Sequence, residues 1–528
     1  MSDATPQVPG SPGAPRARKP VSGPADARMG AASDADAPRE SVTGVELMRG
    51  IGVVRAKGFW ADAWGRVLSR PGAVAGLIWI GIVAFFAVFA PYIANAHPYV
   101  MRMVDANGAV TATSYPLFAN LSATDILLTV GVIVGIPWLR WRKCPIPQSE
   151  RLGMLVVAAL QAGAVVVCTS AILSWLDDAE KAQWAKNLAR SGWGPYAVAG
   201  ALALVVGAVA AWLPTTERRM PRVIAAVAVG AVATFATADR IQPSLVNFER
   251  YHELESSGQA RMTWAPIPFS PNYVRSDMGN LKPMATLESK SPSLKGTPQG
   301  ARTSILGTDA LGGDVLAQML WACRLSISIG LVSTGISLLI GVTIGALMGY
   351  FGGWVDLVLF RMVEIFMAVP VLFLLIVAAG VLPRNTYVMM AIIGCFSWTG
   401  AARFTRAEFL KLRQQDFVQA AQATGMPLRS ILFRHILPNG VTPVLVDASF
   451  AVAAAISVEA TLSYLGLGPD GQASWGKLLS SATGATGTFV WWLAVFPGAA
   501  IFLSVLAYNL LGEALRDAID PKLRKAAH

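Results

Sequence analysis

"DFVQAAQATGMPLRSILFRHILPN", Asp416–Asn439, is an alanine-rich, basic stretch set between two apolar runs, Tyr387–Ala402 and Val441–Leu467. An apolar run of about 20 residues crosses the hydrocarbon of a bilayer as a helix. A link between two such helices needs only a short turn, so the length and patterning of this one require another reason. Phe417, Ala420, Ala421 and Thr424 fall at helical spacing on one face. Asp416 can cap the start of a helix and Gly425 can end it. Pro438 is then expected to block continuation into the next membrane helix. The spacing predicts a short helix lying crosswise, held at both ends by membrane spans, with small residues that let another protein approach closely and with Arg429 and Arg434 following. A plain amphipathic surface helix fits the same spacing, and the residues alone leave both readings open.

The rest of the chain places that stretch in a membrane protein. Of 528 residues, 54% are hydrophobic and 14% charged, and the mean hydropathy is +0.50, against about 25% charged in soluble domains. The net charge of +11 fits basic loops held at the cytoplasmic face. No RNP, zinc-finger or basic-helix pattern accompanies it, so no nucleic-acid partner is expected. Cys144, Cys168, Cys323 and Cys395 form no CxxC pair, and His97, His252, His435 and His528 form no ligand cluster, so neither a disulfide framework nor a metal site is expected.

Residues 1–45 are rich in Pro, Ala, Gly, Asp and Arg without an apolar run and read as a disordered tail, not a signal peptide. Residues 46–72, with Trp60 and Trp64 among basic residues, read as an amphipathic elbow helix on the cytoplasmic surface. Region 73–122 holds a first span, Ala73–Ala96, and an external loop. Residues 123–240 carry four further candidate spans, about Asp125–Leu139, Leu152–Trp175, Pro195–Pro214 and Val223–Ala238. Residues 241–322 read as an external polar segment, and 323–528 as the core, with spans Leu325–Tyr350, Asp356–Leu382, Tyr387–Ala402, Val441–Leu467 and Phe489–Leu511 and a cytoplasmic loop over 403–440. With the N-terminus inside, the cytoplasmic loops carry 13 Lys and Arg and the short external loops 6. The positive-inside rule therefore places both termini and the opening stretch in the cytoplasm.

Charges inside spans are costly and often functional. Glu459 is read either as lining a polar pathway or as an interhelical packing group. Glu364 is a pathway candidate too, although Arg361, three residues away, can neutralise it. Asp447 is read as interfacial. Pro370 is expected to kink its helix, a bend a gate could use. Gly341, Gly345 and Gly349 are small-xxx-small steps that favour close helix packing. "GQASWGKL", Gly471–Leu478, has a P-loop outline but ends in Leu478, which cannot ligate magnesium. ATP is therefore expected on another subunit, with no catalytic residue and no cofactor in this chain.

The stretch "QAAQATG…HILPN" carries a family resemblance. Gln419-Ala420-Ala421, Gly425 and Leu437-Pro438 resemble the EAA loop of bacterial ABC importer permeases, with Gln419 where Glu is usual. "LGTDALGGDVLAQMLWACRLSISIGL", "VEATLSYLGLG…ASWGKLL" and "GEALRDAIDPKLR" resemble segments of the dipeptide/oligopeptide C-type permeases. Gly313 stands where that family usually has Arg, and with "WAPIPF" at Trp264–Phe269 the chain resembles most the microcin C/oligopeptide branch. The resemblance covers about 60–122 and 262–528, and 123–240 reads as a four-helix insertion of unread function.

The resemblance implies an all-α fold: a polytopic helical membrane protein, a type I ABC importer permease bundle of about ten transmembrane helices, in the bacterial inner membrane. It makes 416–425 a coupling helix that sits in a cleft of the ATP-binding subunit, with Asp416, Gln419, Ala420, Ala421, Gly425, Met426, Arg429 and Pro438 as its contact set. It implies that Gly307, Thr308, Asp309, Gly312, Gly313 and Asp314 form an external motif, a plug or a contact for a substrate-delivering protein; Thr308 and Asp309 can equally cap a helix from about Leu311. The implied partners are two ATP-binding subunits, a second permease subunit, a periplasmic substrate-binding protein and membrane lipid; the implied cargo is peptides or peptide-like compounds. Rival readings are a nickel-chelate or other small-solute importer, or a membrane sensor or enzyme acting through 123–240, which holds no His and no carboxylate pair within a span.

Overall fold

The computed structural model describes residues 59–105, 109–141, 144, 146–176, 183–212, 219–238, 248–274, 278–286, 303–483 and 489–519. The expected tail and the first part of the elbow, to residue 58, lie outside the described residues. Apart from the first three residues of the opening helix, the features below lie within one compact unit, Asp62–His528.

Helix α1 (Phe59–Leu68) is amphipathic, and its Ala63 and Val67 bury against Ala73, Ala514 and Ala518. The chain turns at Ser69–Arg70 into α2 (Pro71–Ile93), where proline at the first position lacks only an N–H that no helical carbonyl would have met. Four long apolar helices follow: α3 (Ala123–Arg140), α4 (Gln148–Leu176), α5 (Gly194–Trp212) and α6 (Arg219–Ala238), with a short helix Gln183–Arg190 between α4 and α5. The core is α7 (Val315–Phe351), α8 (Gly353–Ala368), α9 (Val371–Val381), α10 (Thr386–Phe396), α11 (Thr399–Leu412), α12 (Asp416–Ala423), α13 (Leu437–Tyr464), α14 (Trp475–Ser480) and α15 (Trp491–Ile519). Eight described helices are long and apolar enough to cross a membrane, and up to ten spans result if each of two bent pairs counts as one, which accommodates the expected ten.

The bent pairs correct two of the expected spans. The run Asp356–Leu382 is not one kinked helix: α8 and α9 meet at 79°. Proline disfavours the helical region for the residue before it, and Val369 accordingly sits extended at φ −97, ψ 129, with Pro370 as the N-cap of α9. Likewise Tyr387–Ala402 continues well beyond its apolar stretch, as α10 and α11 joined at 43°.

Helix α7 is the spine. Its 37 residues span about 55 Å, well beyond the roughly 30 Å hydrocarbon layer. It packs against α2, α10, α11 and α13. The side chains of Leu325 and Ile329 join Leu375, Met389, Met390, Ile392, Ile393, Ala455 and Leu462 in the central cluster. Between helices that both face lipid there is little hydrophobic drive, and close backbone approach must supply dispersion contact instead. Gly341, Gly345 and Gly349 do this against α11: a Cβ on Gly341 would stand 2.7 Å from the Trp398 carbonyl, and one on Gly349 2.7 Å from the Arg406 carbonyl.

On the side where α2 ends and α7 begins lies a small layer of strands: β1 (Val100–Val104), β2 (Val110–Ser114), β3 (Ala260–Thr263), β4 (Ala285–Thr286) and β5 (Thr303–Ser304). The first three form an antiparallel sheet in the order β2-β1-β3, with Val100 opposite Thr263 and Met103 opposite Ala260. The strands that precede and follow α3–α6 are thus neighbours. Beyond β3, Asn95 N–H donates to the Ile267 carbonyl and Ile267 N–H to the Ile93 carbonyl, each at 3.0 Å, tying the returning chain to the end of α2.

The helices α3–α6 meet the core through α3. Ser122 and Asp125 form a capping box, Ser122 N–H donating to Asp125 Oδ2 at 2.8 Å. Asp125 Oδ1 accepts from Arg324 Nη1 of α7, both side chains largely buried. Arg324 Nε also donates to the Ala87 carbonyl at 3.1 Å, the acceptor that Pro91, four residues on, cannot serve. Tyr92 OH adds a bond to Thr129 Oγ1 at 3.2 Å.

Candidate functional site

The stretch Asp416–Asn439 forms a helix, a tight stop and a second helix. Helix α12 starts at Asp416, which is its first residue and not its cap: the N-cap is Gln415, without a side-chain bond. Asp416 serves instead as an acidic residue in the first turn, favourable to the helix dipole. The end is a Schellman stop: Gly425 N–H donates to the Gln422 carbonyl at 3.0 Å and Met426 N–H to the Ala421 carbonyl at 3.2 Å. Gly425 has φ +70, the left-handed backbone that glycine adopts without strain.

The inward face of α12 is Val418 and Ala421, buried with Phe409, Ile431 and Ile436. Ala421 therefore packs on its own bundle and is not available to a partner, contrary to its place in the expected contact set. Exposed are Asp416, Gln419, Ala420, Gly425, Met426 and Arg429. Phe417 on the helix and Met426 and Leu428 after it leave 40%, 41% and 39% of their surfaces uncovered. Gln419 Nε2 donates to the Gln414 carbonyl at 3.2 Å, a bond the usual glutamate could not donate.

Pro438 does not break the chain away from α13. Leu428–Ser430 is α-helical, Ile431–Ile436 is a π-helical segment, and α13 begins at Leu437 with proline in its first turn. The wide turn explains this. Leu437 N–H reaches back to Leu432 across five residues, so the register shifts where Pro438 lacks its donor. Asn439 Nδ2 donates to the His435 carbonyl at 2.8 Å beside it. The expected loop over 403–440 is accordingly helical through most of its length.

Three links tie this assembly to the spans. Gln422 Nε2 bonds Tyr350 OH at 3.3 Å, and Arg413 Nη1 donates to the Tyr350 carbonyl at 3.0 Å, both at the far end of α7. Arg406 of α11 forms a bidentate pair with Asp356 of α8, Nε to Oδ1 at 2.5 Å and Nη2 to Oδ2 at 2.6 Å. Its guanidinium lies 4.7 Å from the centre of the Phe360 ring.

The pathway candidates separate. Glu459 is fully buried, its Oε1 accepting from Ser463 and Ser474 at 2.7 Å each; it joins α13 to the N-cap of α14, as an interhelical packing group would. Glu364 lies on an exposed face, paired with Arg361 at 2.5 Å. Pro370 marks the α8–α9 break. The "GQASWGKL" stretch is no phosphate cradle: Ser474 caps α14, Trp475 is buried, and a Cβ on Gly476 would stand 2.2 Å from the Ala460 carbonyl oxygen of α13.

The expected external motif is mainly its own scaffold. Thr308 and Asp309 do not cap the helix; α7 begins at Val315, capped by Asp314, whose Oδ1 accepts from Ala317 N–H at 2.8 Å. Asp309 is already engaged, accepting from Leu311 and Gly313 N–H at 2.9 and 2.8 Å and from Gln318 Nε2 at 2.6 Å. The helix start also moves the expected external segment back from residue 322. Thr308 Oγ1 donates to the Met278 carbonyl at 2.5 Å and accepts from Leu281 N–H at 2.8 Å, while Trp492 Nε1 donates to the Thr308 carbonyl at 3.1 Å. Ser304 Oγ bonds Asp314 Oδ2 at 2.7 Å. Burial pushes the Asp314 carboxyl above its usual range, against the lowering effect of the Ala317 and Ser304 bonds. Gly307, at φ +82, brings its backbone where a Cβ would stand 2.6 Å from the Leu281 carbonyl. Gly313 leaves room for Gln318 to reach Asp309; any Cβ there would stand 2.6 Å from Gln318 Nε2. Gly312, Gly313 and Asp314 are buried, and the exposed tip is Ala310–Leu311.

Sequence reasoning missed Arg324, Asp125, Arg406 and Asp356. Arg324 lay one residue before the run that begins at Leu325; an N-cap reading of Asp314 would have placed it ten residues inside a helix.

Residues 341–525, which hold α11–α13 with the Schellman stop, match the family model described as binding-protein-dependent transport system inner membrane component. Residues 58–113 match the model for the N-terminal TM domain of oligopeptide transport permease C. A relative named peptidoglycan transport system permease protein YejE, from Agrobacterium fabrum, is 37% identical over 281 residues, 51% of this chain and 73% of its own length. The chain belongs to the binding-protein-dependent inner-membrane permeases. Two more relatives agree. The inner membrane ABC transporter permease protein YejE of Escherichia coli is 39% identical, covering 51% of this chain and 74% of its own. The oligopeptide transport system permease protein OppC of Bacillus subtilis is 39% identical, covering 42% and 72%. The permease is thus a multi-pass inner-membrane protein of the OppC type, which works with an ATP-binding partner and other ABC components. Neither model matches residues 114–340, where α3–α6 lie.

Proposed function

We propose that the permease imports peptides or peptide-containing compounds, moving them by alternating access while ATP is hydrolysed on a partner subunit docked at α12. The observation that carries this reading is α12 itself: Val418 and Ala421 fasten it to the bundle, Gly425 stops it, and Phe417, Met426 and Leu428 present uncovered apolar surface. Closure of a docked subunit would then press on α11, whose glycine-lined contact with α7 is too tight to slip, and through Arg406–Asp356 on the broken pair α8–α9. The cargo class rests on relatives named for peptidoglycan, oligopeptide and glutathione transport, which share amide-linked substrates. Two ATP-binding subunits, a second permease and a periplasmic binding protein complete the assembly. Both termini are cytoplasmic, as the Lys and Arg bias between loops supports. The tip Ala310–Leu311 is what the external motif offers a delivering protein. Helices α3–α6 are an insertion bracketed by β1–β3.

The test replaces Gly425 with valine in the assembled complex. No atom lies within 4 Å of a Cβ there, yet φ is +70, which a β-branched residue adopts only with strain. The expected result is an intact complex with lower peptide uptake and less substrate-stimulated ATP hydrolysis. Unchanged uptake and hydrolysis together would remove the coupling role.

A further inference from the structure

The insertion has a feature that import does not use. Along the outer face of α3, near its C-terminal end, lies a shallow, open groove of about 580 Å³ lined by Ile133, Val134, Pro137, Trp138, Arg140 and Trp141. The order of side chains is graded. Ile133, Val134 and Pro137 come first and are exposed; the indoles of Trp138 and Trp141 follow, and Arg140 lies between them. From residue 133 to 141 an α-helix rises about 12 Å. Apolar surface thus gives way to two indoles with a cation between them over the depth at which acyl chains give way to headgroups.

Arg140 is available for a ligand because another cation has taken the structural work. A helix C-terminus exposes carbonyls that a nearby cation can satisfy. Here Arg151, itself 4% exposed, does so: its Nη1 donates to the carbonyls of Trp138, Leu139 and Trp141 at 2.8, 3.1 and 3.0 Å. Arg140 is exposed at the same helix end and pairs with no carboxylate among the described residues. Two guanidinium groups at one end of α3 make the locality positive, and no acid in the groove lining offsets it.

We propose that this groove binds an anionic glycerophospholipid. Its phosphate accepts hydrogen bonds from the Arg140 guanidinium, the indoles seat the interfacial region, and an acyl chain lies along Ile133, Val134 and Pro137. With the N-terminus inside, the site faces the cytoplasmic leaflet, where anionic headgroups meet basic side chains. A zwitterionic ethanolamine headgroup brings an ammonium toward the Arg140–Arg151 pair and is disfavoured. The insertion then fixes the permease to a lipid of one charge class, by a face that the contacts to α2 and α7 leave free.

The test is native mass spectrometry of the full-length permease, released from vesicles of equal phosphatidylglycerol and phosphatidylethanolamine. Native chain, Arg140→Gln, Arg140→Lys and Trp141→Ala are compared, with gel filtration to check folding. Phosphatidylglycerol is expected on the native chain and on Arg140→Lys, and about fivefold less on Arg140→Gln, the weight of one interfacial charge. Rising salt should strip it from the native chain, a readout that needs no variant. Equal retention of both lipids, or equal phosphatidylglycerol on Arg140→Gln, would overturn the site. So would a second copy of the permease, rather than lipid, lost on substitution. None of these outcomes depends on transport, so failure here leaves the import reading intact.

Discussion

Arg406 grips Asp356 with two parallel hydrogen bonds, 2.5 and 2.6 Å long, between a helix that leads into α12 and a helix that ends at the Pro370 break. A planar guanidinium fixes both distance and angle, which a lysine cannot. Asp356→Asn or Arg406→Lys is expected to leave α12 and its docking in place but to lower uptake per ATP hydrolysed. The paired exchange Asp356→Arg with Arg406→Asp should recover part of it. The ratio of transport to hydrolysis in proteoliposomes checks this, and a ratio unchanged in both single variants would break the proposed link.

Gly345→Leu should destabilise the bundle. A Cβ at Gly345 would stand 2.7 Å from the Thr405 Cβ and 3.1 Å from Arg406 N, and overpacking of this kind costs about 1–3 kcal/mol. Gly335→Leu, where no atom lies within 4 Å, is the matched control. Thermal unfolding in detergent should drop for the first and not for the second.

Asp125→Leu leaves Arg324 charged, largely buried and without its carboxylate. Removing one partner of a buried pair costs about 3–5 kcal/mol, whereas replacing both is often neutral. Asp125→Leu alone should loosen α3–α6, seen as faster amide exchange in α3. Asp125→Leu with Arg324→Met should restore protection. If the double variant exchanges as fast as the single one, the unpaired charge is not the cause.

His97 sets a pH response in the strand layer. Burial lowers its pKa from 6.5 to about 4, and its Nδ1 lies 3.3 Å from Tyr251 OH. The unfolded chain therefore binds more protons between these values, so stability rises with pH across that window. The contribution of neutral His97 is complete above pH 6.5 and is lost as pH falls toward 4. Proteolysis of the layer near Tyr251 should quicken over that range, and a His97→Gln variant should show a flatter profile.

Much of the membrane bundle was legible because apolar runs are long and unambiguous. The helix at 416–423 and its glycine stop were legible too, since Asp416, Gly425 and the spacing between them are local signals. What failed was the fate of prolines and charges, which depends on partners distant in sequence. Pro370 reads as a kink, but only the extended Val369 makes it a break. Pro438 reads as a breaker, but a π-turn absorbs it. Glu459 reads as either a pathway or a packing residue, and only Ser474, fifteen residues on, shows what its Oε1 is bonded to. Ala421 falls on the same spaced face as Ala420, yet Phe409 and Ile436 claim it for the core.

The strand layer also constrains how α3–α6 could be lost. Both β2 and β3 run antiparallel to β1 and flank it, so they are parallel to each other. The chain leaving Ser114 must return the full length of a strand and pass over β1 before it can begin β3. A link between parallel strands takes a dozen residues or more, usually a helix. The four membrane helices thus occupy a crossover that the sheet demands in any case. A trimmed permease joined by a two-residue turn would lose the sheet, whereas one joined by a helix-length segment would keep it.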